Sequence, residues 1–201
     1  MAKLKAPLLS LGASGAIGKS IVFFNWKGLD VAREYVVPSN PQSTDQTTQR
    51  GYLSAAIVLL RTCQGHAVFP LNEKDTVAYA LWGSTYATPR TWFNQFVKNF
   101  VDQNVAALAG NCFSGATVVE VADEVDVDVY NGTGDITAGV CKYGTSKTAL
   151  INSQNLVVAG QKLTADVAGL TTGQKYYFQF EATAPASCVG QKSGIFYGTP
   201  L

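Results

Sequence analysis

Three clusters in this chain have residue types and spacing that could do chemistry. The first is Ala13-Ser14-Gly15-Ala16-Ile17-Gly18-Lys19-Ser20, a relaxed phosphate-loop pattern with alanine in first place. In such a loop the backbone amides and the lysine cradle phosphates, and the serine binds magnesium. The chemistry also needs a strand before the loop and a helix after it, whose N-terminus faces the anion. Here Ser20 runs into Ile21-Val22-Phe23-Phe24-Asn25-Trp26 and then a turn, which is strand composition, and no βαβ repeat follows. The residues favour a glycine-rich lead-in to a hairpin over a nucleotide site.

The second cluster is acidic: Glu120, Asp123, Glu124, Asp126, Asp128 and Asp135. Grouped carboxylates can hold calcium, but this spacing is not that of an EF-hand loop. Alternation with valine puts Asp126 and Asp128 on the outer face of a strand, where solvated charge also discourages edge pairing. The third cluster is Cys63 with His66. A nucleophilic pair would need an orienting partner and a cleft. The run Thr62-Cys63-Gln64-Gly65-His66 reads instead as a helix end, with His66 placed to satisfy last-turn carbonyls. His66 is the single histidine, which excludes a multi-histidine metal site.

The aromatic side chains of Trp82, Tyr86, Trp92, Phe93, Phe96 and Phe100 could line a ligand groove, but the last four follow helix-face spacing and read as core. Cys63, Cys112, Cys141 and Cys188 contain no Cys-x-x-Cys pair, which argues against zinc. They read as buried thiols, with a Cys141–Cys188 bridge as the first alternative. There is no Gly-x-Ser-x-Gly elbow, no His-Glu-x-x-His and no complete dinucleotide fingerprint. The expectation is therefore a protein that is not an enzyme, with no catalytic, cofactor-binding or metal residues and no cofactor.

These residues must be positioned by a chain of 201 residues, of which 47% are hydrophobic and only 14% charged. That composition supports a packed core and argues against extended disorder. The net charge of +1 does not support general polyanion binding, so no nucleic-acid partner is expected. No apolar run approaches the ~20 residues that span a bilayer, so no membrane partner is expected. Pro7 and Gly12 interrupt the apolar stretch behind Met1-Ala2-Lys3-Leu4-Lys5, which argues against a secretory signal and for synthesis in a cytoplasm. Charge is uneven. Residues 1–40 carry five basic and two acidic side chains, and residues 115–201 carry five and eight.

Three regions are expected. Residues 1–42 read as an extended arm with a β-hairpin: Ile21–Trp26, a Lys27-Gly28 turn, then Leu29–Val37. Pro38-Ser39-Asn40-Pro41 stops it. A lone hairpin is marginal in water, so Phe23, Phe24, Trp26 and Tyr35 should pack on something and are the candidate partner-binding residues. Residues 43–114 read as a small helical domain. A first helix is capped by Ser43 or Thr44 and carries Tyr52, Ala55, Ala56, Leu59 and Leu60 at helical spacing. A second runs from an Asn72 cap to Trp82 with Glu73 and Asp75 at its positive end. A third runs Thr88–Leu108 with Pro89 at its first position and a stripe of Trp92, Phe93, Phe96, Phe100, Val101 and Val105, ended by Gly110-Asn111. Residues 115–201 read as an all-β sandwich of about seven short strands. The strand signals are the alternating valines from Val119 to Val129, an Asn131-Gly132 hairpin signal, 139–143, Ala149-Leu150, 162–167, the Tyr176 run and 194–197. The fold class is α+β.

Two stretches carry resemblances. Leu170-Thr171-Thr172-Gly173-Gln174-Lys175-Tyr176-Tyr177-Phe178-Gln179-Phe180-Glu181-Ala182 resembles the Leu-x-x-Gly-x-x-Tyr-x-Phe-x-Val-x-Ala run of fibronectin type III and related immunoglobulin-like domains. The resemblance implies a core role for Leu170, a corner role for Tyr176 and a closing strand at Ser193–Pro200. The early-strand tryptophan usual in such domains is missing. The second resemblance covers residues 12–104. Gly15-Ala16-Ile17-Gly18, a hairpin ending in Arg33-Glu34-Tyr35, Pro38-Ser39-Asn40-Pro41-Gln42-Ser43 and Gln46-Thr47-Thr48-Gln49-Arg50 follow in order. This is similar to a small domain of tailed-bacteriophage virion proteins, and Leu71-Asn72-Glu73 and Thr91–Phe96 echo its later helices. Thr47 and Thr48 replace the more usual alanines. Together the two imply a virion structural protein made in the host cytoplasm, a capsid decoration or cement protein held by its N-terminal region and displaying an immunoglobulin-like domain. The implied partners are the major capsid protein or other virion proteins, with a homo-oligomer on the particle. A neck, tail or fibre component, or a cellular adhesion module, is the alternative.

Overall fold

The computed structural model describes residues 2–3, 14–37, 39–40 and 42–201. Met1, Leu4, Lys5, Pro7, Gly12, Ala13, Pro38 and Pro41, on which parts of the sequence readings rest, lie outside the described residues. The fold is α+β; along the chain, three helices follow one antiparallel sheet and precede the strands of two others. The chain divides into two compact units, residues 1–43 and 44–201.

The first unit is a four-stranded antiparallel sheet of β1 (Ala2–Lys3), β2 (Gly15–Ile17), β3 (Ile21–Trp26) and β4 (Leu29–Glu34), in the order β1-β4-β3-β2. It holds more than the single hairpin expected. Gly18 and Lys19 both take positive φ, +56° and +55°, and Ser20 N–H donates to the Ile17 carbonyl at 2.9 Å. Lys27 and Gly28 do the same at +51° and +77°. Two successive positive φ values define the two-residue turn whose twist matches paired strands. The glycine-rich stretch is thus a strand and a hairpin turn.

In the second unit, α1 (Thr44–Gln64) buries Ala56, Leu60 and Cys63. Ala55, named in the expected stripe, is exposed. Helix α2 (Glu73–Gly83) starts at an Asn72 cap, as expected, in a reciprocal capping box with Asp75. Helix α3 (Trp92–Val105) differs from the sequence reading at both ends. Its cap is Thr91, whose hydroxyl accepts from Asn94 N–H, so Pro89 lies in the loop before it. It ends at Val105, and Ala107 takes a φ of +58°, the position expected of Gly110. Phe93 and Val105 of the expected stripe are exposed. Gln95 and Asn99 share the buried face with Phe96 and Phe100 because they bond there, Gln95 accepting from Arg90 and Asn99 donating to the Lys192 carbonyl.

The rest of this unit is two four-stranded sheets. One is β5 (Phe113–Val121), β6 (Glu124–Asn131), β10 (Lys162–Ala168) and β9 (Val157–Ala159), in that order. The other is β12 (Lys192–Gly198), β11 (Tyr176–Ala184), β7 (Ala138–Gly144) and β8 (Asn152–Asn155). Hairpins and sheet-changing connections alternate along the chain, and the inner faces share one core. Val125, Val127 and Val129 of β6, Leu163, Ala165 and Val167 of β10, and Phe178 and Phe180 of β11 meet there. The valine run read as one alternation is two strands. It turns at Ala122-Asp123, which leaves Val119 and Val121 on the outer face beside Asp126 and Glu124. Asn131-Gly132 is not a hairpin turn. Asn131 is buried, and its side chain accepts from Asn111 and Thr133 while the chain crosses to the other sheet. Ala149-Leu150 is not a strand, and Ala149 makes only an isolated bridge to Ser146.

The helices and the sandwich belong to one unit, where the sequence reading separates them at residue 114. Their contact is close. A Cβ on Gly194 of β12 would come within 2.6 Å of the Ala78 Cβ and 2.7 Å of the Tyr79 nitrogen on α2. Tyr79, buried against Phe96 edge-to-face at 5.7 Å, accepts from Phe113 N–H of β5 at 3.2 Å.

Candidate functional site

The register of the first unit divides its aromatic residues between two faces. Phe24 pairs with Val31, Trp26 with Leu29 and Val22 with Arg33, so these six share a face. Phe23 pairs with Ala32 and Ile21 with Glu34 on the opposite face, which Ile17 joins. The four residues singled out from the sequence are therefore not one patch. Phe24 and Trp26 lie together, Phe23 lies behind them, and Tyr35 follows β4 with its N–H on the Ser20 carbonyl at 2.8 Å. Among the described residues of this unit only Val31 is buried. Trp26 is 53% exposed, Leu29 47% and Ile17 50%. The Arg33 guanidinium stands 5.2 Å from the Phe24 ring and the Lys27 ammonium 6.0 Å from the Trp26 ring. The arrangement is an exposed apolar sheet face flanked by cations. It suits contact with another apolar surface carrying negative charge.

The three chemical clusters separate. Lys19 and Ser20 lead into a strand, not a helix, so the helix N-terminus a phosphate loop requires is not behind them. Cys63 is buried near Cys112 and Gly132, and His66 turns elsewhere. The His66 Nδ1 accepts from Val68 and Phe69 N–H, both at 3.2 Å, and its ring stacks on Phe69 at 3.6 Å. Its ring holds the following loop, while its backbone N–H donates to the Cys63 carbonyl in the last turn of α1 at 3.4 Å. A hydrogen bond from the Cys112 thiol pulls the Cys63 thiol down and pushes Cys112 up. Burial pushes Cys141 up to about 12. All four cysteines are free and buried, so there is no Cys141–Cys188 bridge.

The acidic strand lies on the outer face of its sheet. Burial, and then the Asp166 carboxylate directly opposite, push the Asp126 carboxyl up. Burial also acts on Asp128, but hydrogen bonds from Thr164 at 2.6 Å and Lys162 at 2.9 Å outweigh it and hold that carboxyl low. Among the described residues no group of three or more His, Cys, Asp or Glu could hold a metal ion. No helix among the described residues is long and apolar enough to cross a membrane.

The most constrained carboxylate is Asp75, fully buried. It accepts from its own cap, Asn72 N–H at 2.8 Å, and from Gly115 and Ala116 N–H of β5 at 2.9 and 3.1 Å. Burial pushes its carboxyl up to about 6 against the lowering pull of those three donors. Asn72 Nδ2 completes the joint by donating to the Ala116 carbonyl. The sequence shows Asp75 as a first-turn acid. That it also secures the bulge in β5 depends on a contact across 40 residues, which no local signal carries.

Two surface clefts open on the second unit. One, about 340 Å³, lies between α2, β5 and β12, with Val77, Val118 and Tyr197 as walls. The other, about 320 Å³, lies at the end of α2 over β7 and β11. It gathers Trp82, Lys142, Lys147, Thr148 and Gln179, which the sequence spreads over nearly 100 residues and therefore did not group. With the fold and these sites described, comparison with known proteins adds no name: no family model and no curated protein matches the chain.

Proposed function

We propose that this chain is a non-enzymatic structural protein of a tailed-bacteriophage virion, a capsid decoration or cement protein. Residues 1–43 anchor it to the major capsid protein or a neighbouring virion protein, and the sandwich projects from the particle. It is made in the host cytoplasm and carried in several copies on the particle, with no cofactor, nucleic acid or membrane involved. The observation that carries the reading is the face on which Trp26 and Leu29 are about half exposed beside half-buried Phe24, in a unit whose described residues bury only Val31. Exposed apolar faces of this kind mark interaction sites. The sandwich supports the display role. Its strand order follows the four-on-one-sheet pattern of immunoglobulin-like domains. Leu170 is in its core, and the Tyr176 hydroxyl at the start of β11 accepts from Thr171 N–H at 3.2 Å.

The test is the copy number of this protein relative to the major capsid protein in purified particles, with a variant lacking residues 1–37 beside it. Near-stoichiometric copies and loss of binding in the deletion are expected. A few copies per particle would move the protein to the neck, tail or fibres. Absence from particles would overturn the virion reading, and particle binding by the deletion variant would overturn the anchor.

A further inference from the structure

We propose that the cleft at the end of α2 binds a carboxylated sugar. The lining comes from α2, β7, β11, β12 and the loops after α2 and β7, and it mixes polar and apolar side chains. Trp82, Leu150 and Ile195 supply the apolar part. Lys142, Lys147, Thr85, Thr148 and Gln179 supply the polar part. No carboxylate lines it.

The two lysines differ in what they have left to give. The Lys142 ammonium sits 2.6 Å from a Glu181 oxygen, which Lys192 also approaches at 3.6 Å. Glu181 is thus shared between two cations. Lys147 makes no ion pair among the described residues. It donates to Ser84 Oγ at 2.9 Å, and Ser84 in turn donates to the Leu81 carbonyl at 2.7 Å. That contact holds the ammonium at the negative end of α2, and two of its three donors stay free. Glu181, shared with Lys192, and the negative end of α2 offset the charge of these two lysines only in part, and the positive charge left over favours an anion.

The remaining groups say what else the anion must carry. Gln179 is buried, and its Nε2 is committed to the Ser193 carbonyl at 3.0 Å. That leaves its Oε1 to accept. Thr85 Oγ1 donates to the Trp82 carbonyl at 2.8 Å, so its lone pairs also accept. Two fixed acceptors call for a ligand with hydroxyl donors, and the indole calls for one with an apolar face. A pyranose ring provides both, and a carboxylate on it answers Lys147 and Lys142. A volume near 320 Å³ suits a site for one ring.

The experiment is ligand-observed NMR and calorimetry on the full chain with glucuronate, glucose and inorganic phosphate. Glucuronate is expected to bind at least about tenfold more tightly than glucose or phosphate. Lys147→Gln keeps a donor for Ser84 and removes the charge. It is expected to weaken glucuronate about tenfold with unchanged thermal unfolding. Trp82→Leu is the second variant, read only if it melts like the parent, and should weaken both sugars. No glucuronate binding at about 10 mM would overturn the proposal. So would binding indifferent to Lys147→Gln. Phosphate binding as tight as glucuronate would overturn the sugar and leave a bare anion site.

Discussion

Replacing Asp75 with alanine tests the joint between α2 and β5. The change removes the acceptor for Asn72, Gly115 and Ala116 N–H, at 2.8, 2.9 and 3.1 Å. A hydrogen bond to a charged group contributes about 1.5–3 kcal/mol, so three put the gross loss at roughly 4–9 kcal/mol. Against it stands relief from burying a charge. The carboxyl rises from 3.8 to about 6 on folding. That shift is about 3 kcal/mol of penalty at neutral pH. The net expectation is destabilisation by about 1–6 kcal/mol, read by urea unfolding followed by circular dichroism.

The same shift fixes a pH signature. The folded value lies above the unfolded one, so the folded protein binds more protons between them. The contribution of Asp75 to stability therefore falls as pH rises from about 4 to about 6 and is level above about 7. From about pH 4 to pH 7 the parent should lose about 2 kcal/mol that Asp75→Ala does not lose. Asp126, also raised, acts in the same direction, so the two profiles must be subtracted. Asp128 and Glu181 are held low and act oppositely, their stabilisation being lost only as pH falls through the low carboxylate range. A variant within about 0.5 kcal/mol of the parent at neutral pH would refute the joint. A difference that does not change with pH would refute the buried charge.

Gly194→Ala should destabilise by about 1–3 kcal/mol in the same assay, because its Cβ would lie 2.6 Å from Ala78, and backbone must move. Tyr176→Phe removes the acceptor for Thr171 N–H and should lower the unfolding midpoint. An unchanged midpoint would remove the corner from the account of β11. Trp26→Ser should abolish particle binding without moving the unfolding of residues 44–201; binding at parental strength would exclude that face.

The sandwich was legible because its signals are local and repeated. Val125, Val127 and Val129 alternate with Asp126 and Asp128, and the alternation alone places three valines in the core. The Asn72 cap and the Lys27-Gly28 turn were legible for the same reason, each resting on a few adjacent residues. What failed were phases and ends. Val119 and Val121 read as one alternation with Val125, Val127 and Val129 because the turn at Ala122-Asp123 carries neither glycine nor proline, and one undetected turn reverses a face. Pro89 read as a helix start because proline suits that position, yet the Thr91 hydroxyl outbid it with a bond to Asn94 N–H. The division of Phe23 from Phe24 and Trp26 follows from period two and could have been read at once. The cleft could not, because Trp82, Lys147 and Gln179 meet only through packing of the helices on the sheet.

The energetics of the arm also bear on how such a protein would be held. Fully burying a large apolar side chain contributes about 1.5–3 kcal/mol, and Trp26 and Leu29 are about half exposed while Phe24 is half-buried. Covering that face yields a few kcal/mol for one copy. Association costs an estimated 4–15 kcal/mol in lost freedom. One arm on one binding site is therefore weak unless Arg33 and Lys27 meet carboxylates there, or the strand edges of the sheet pair as well. Copies linked to one another on a symmetric particle remove most of that cost after the first, since each later arm binds at a high effective concentration. Contact among copies and anchoring through the arm are then one requirement. A variant whose sandwiches do not associate should leave the particle on dilution even with Phe24 and Trp26 intact. Retention of such a variant at parental occupancy would mean that the arm alone suffices.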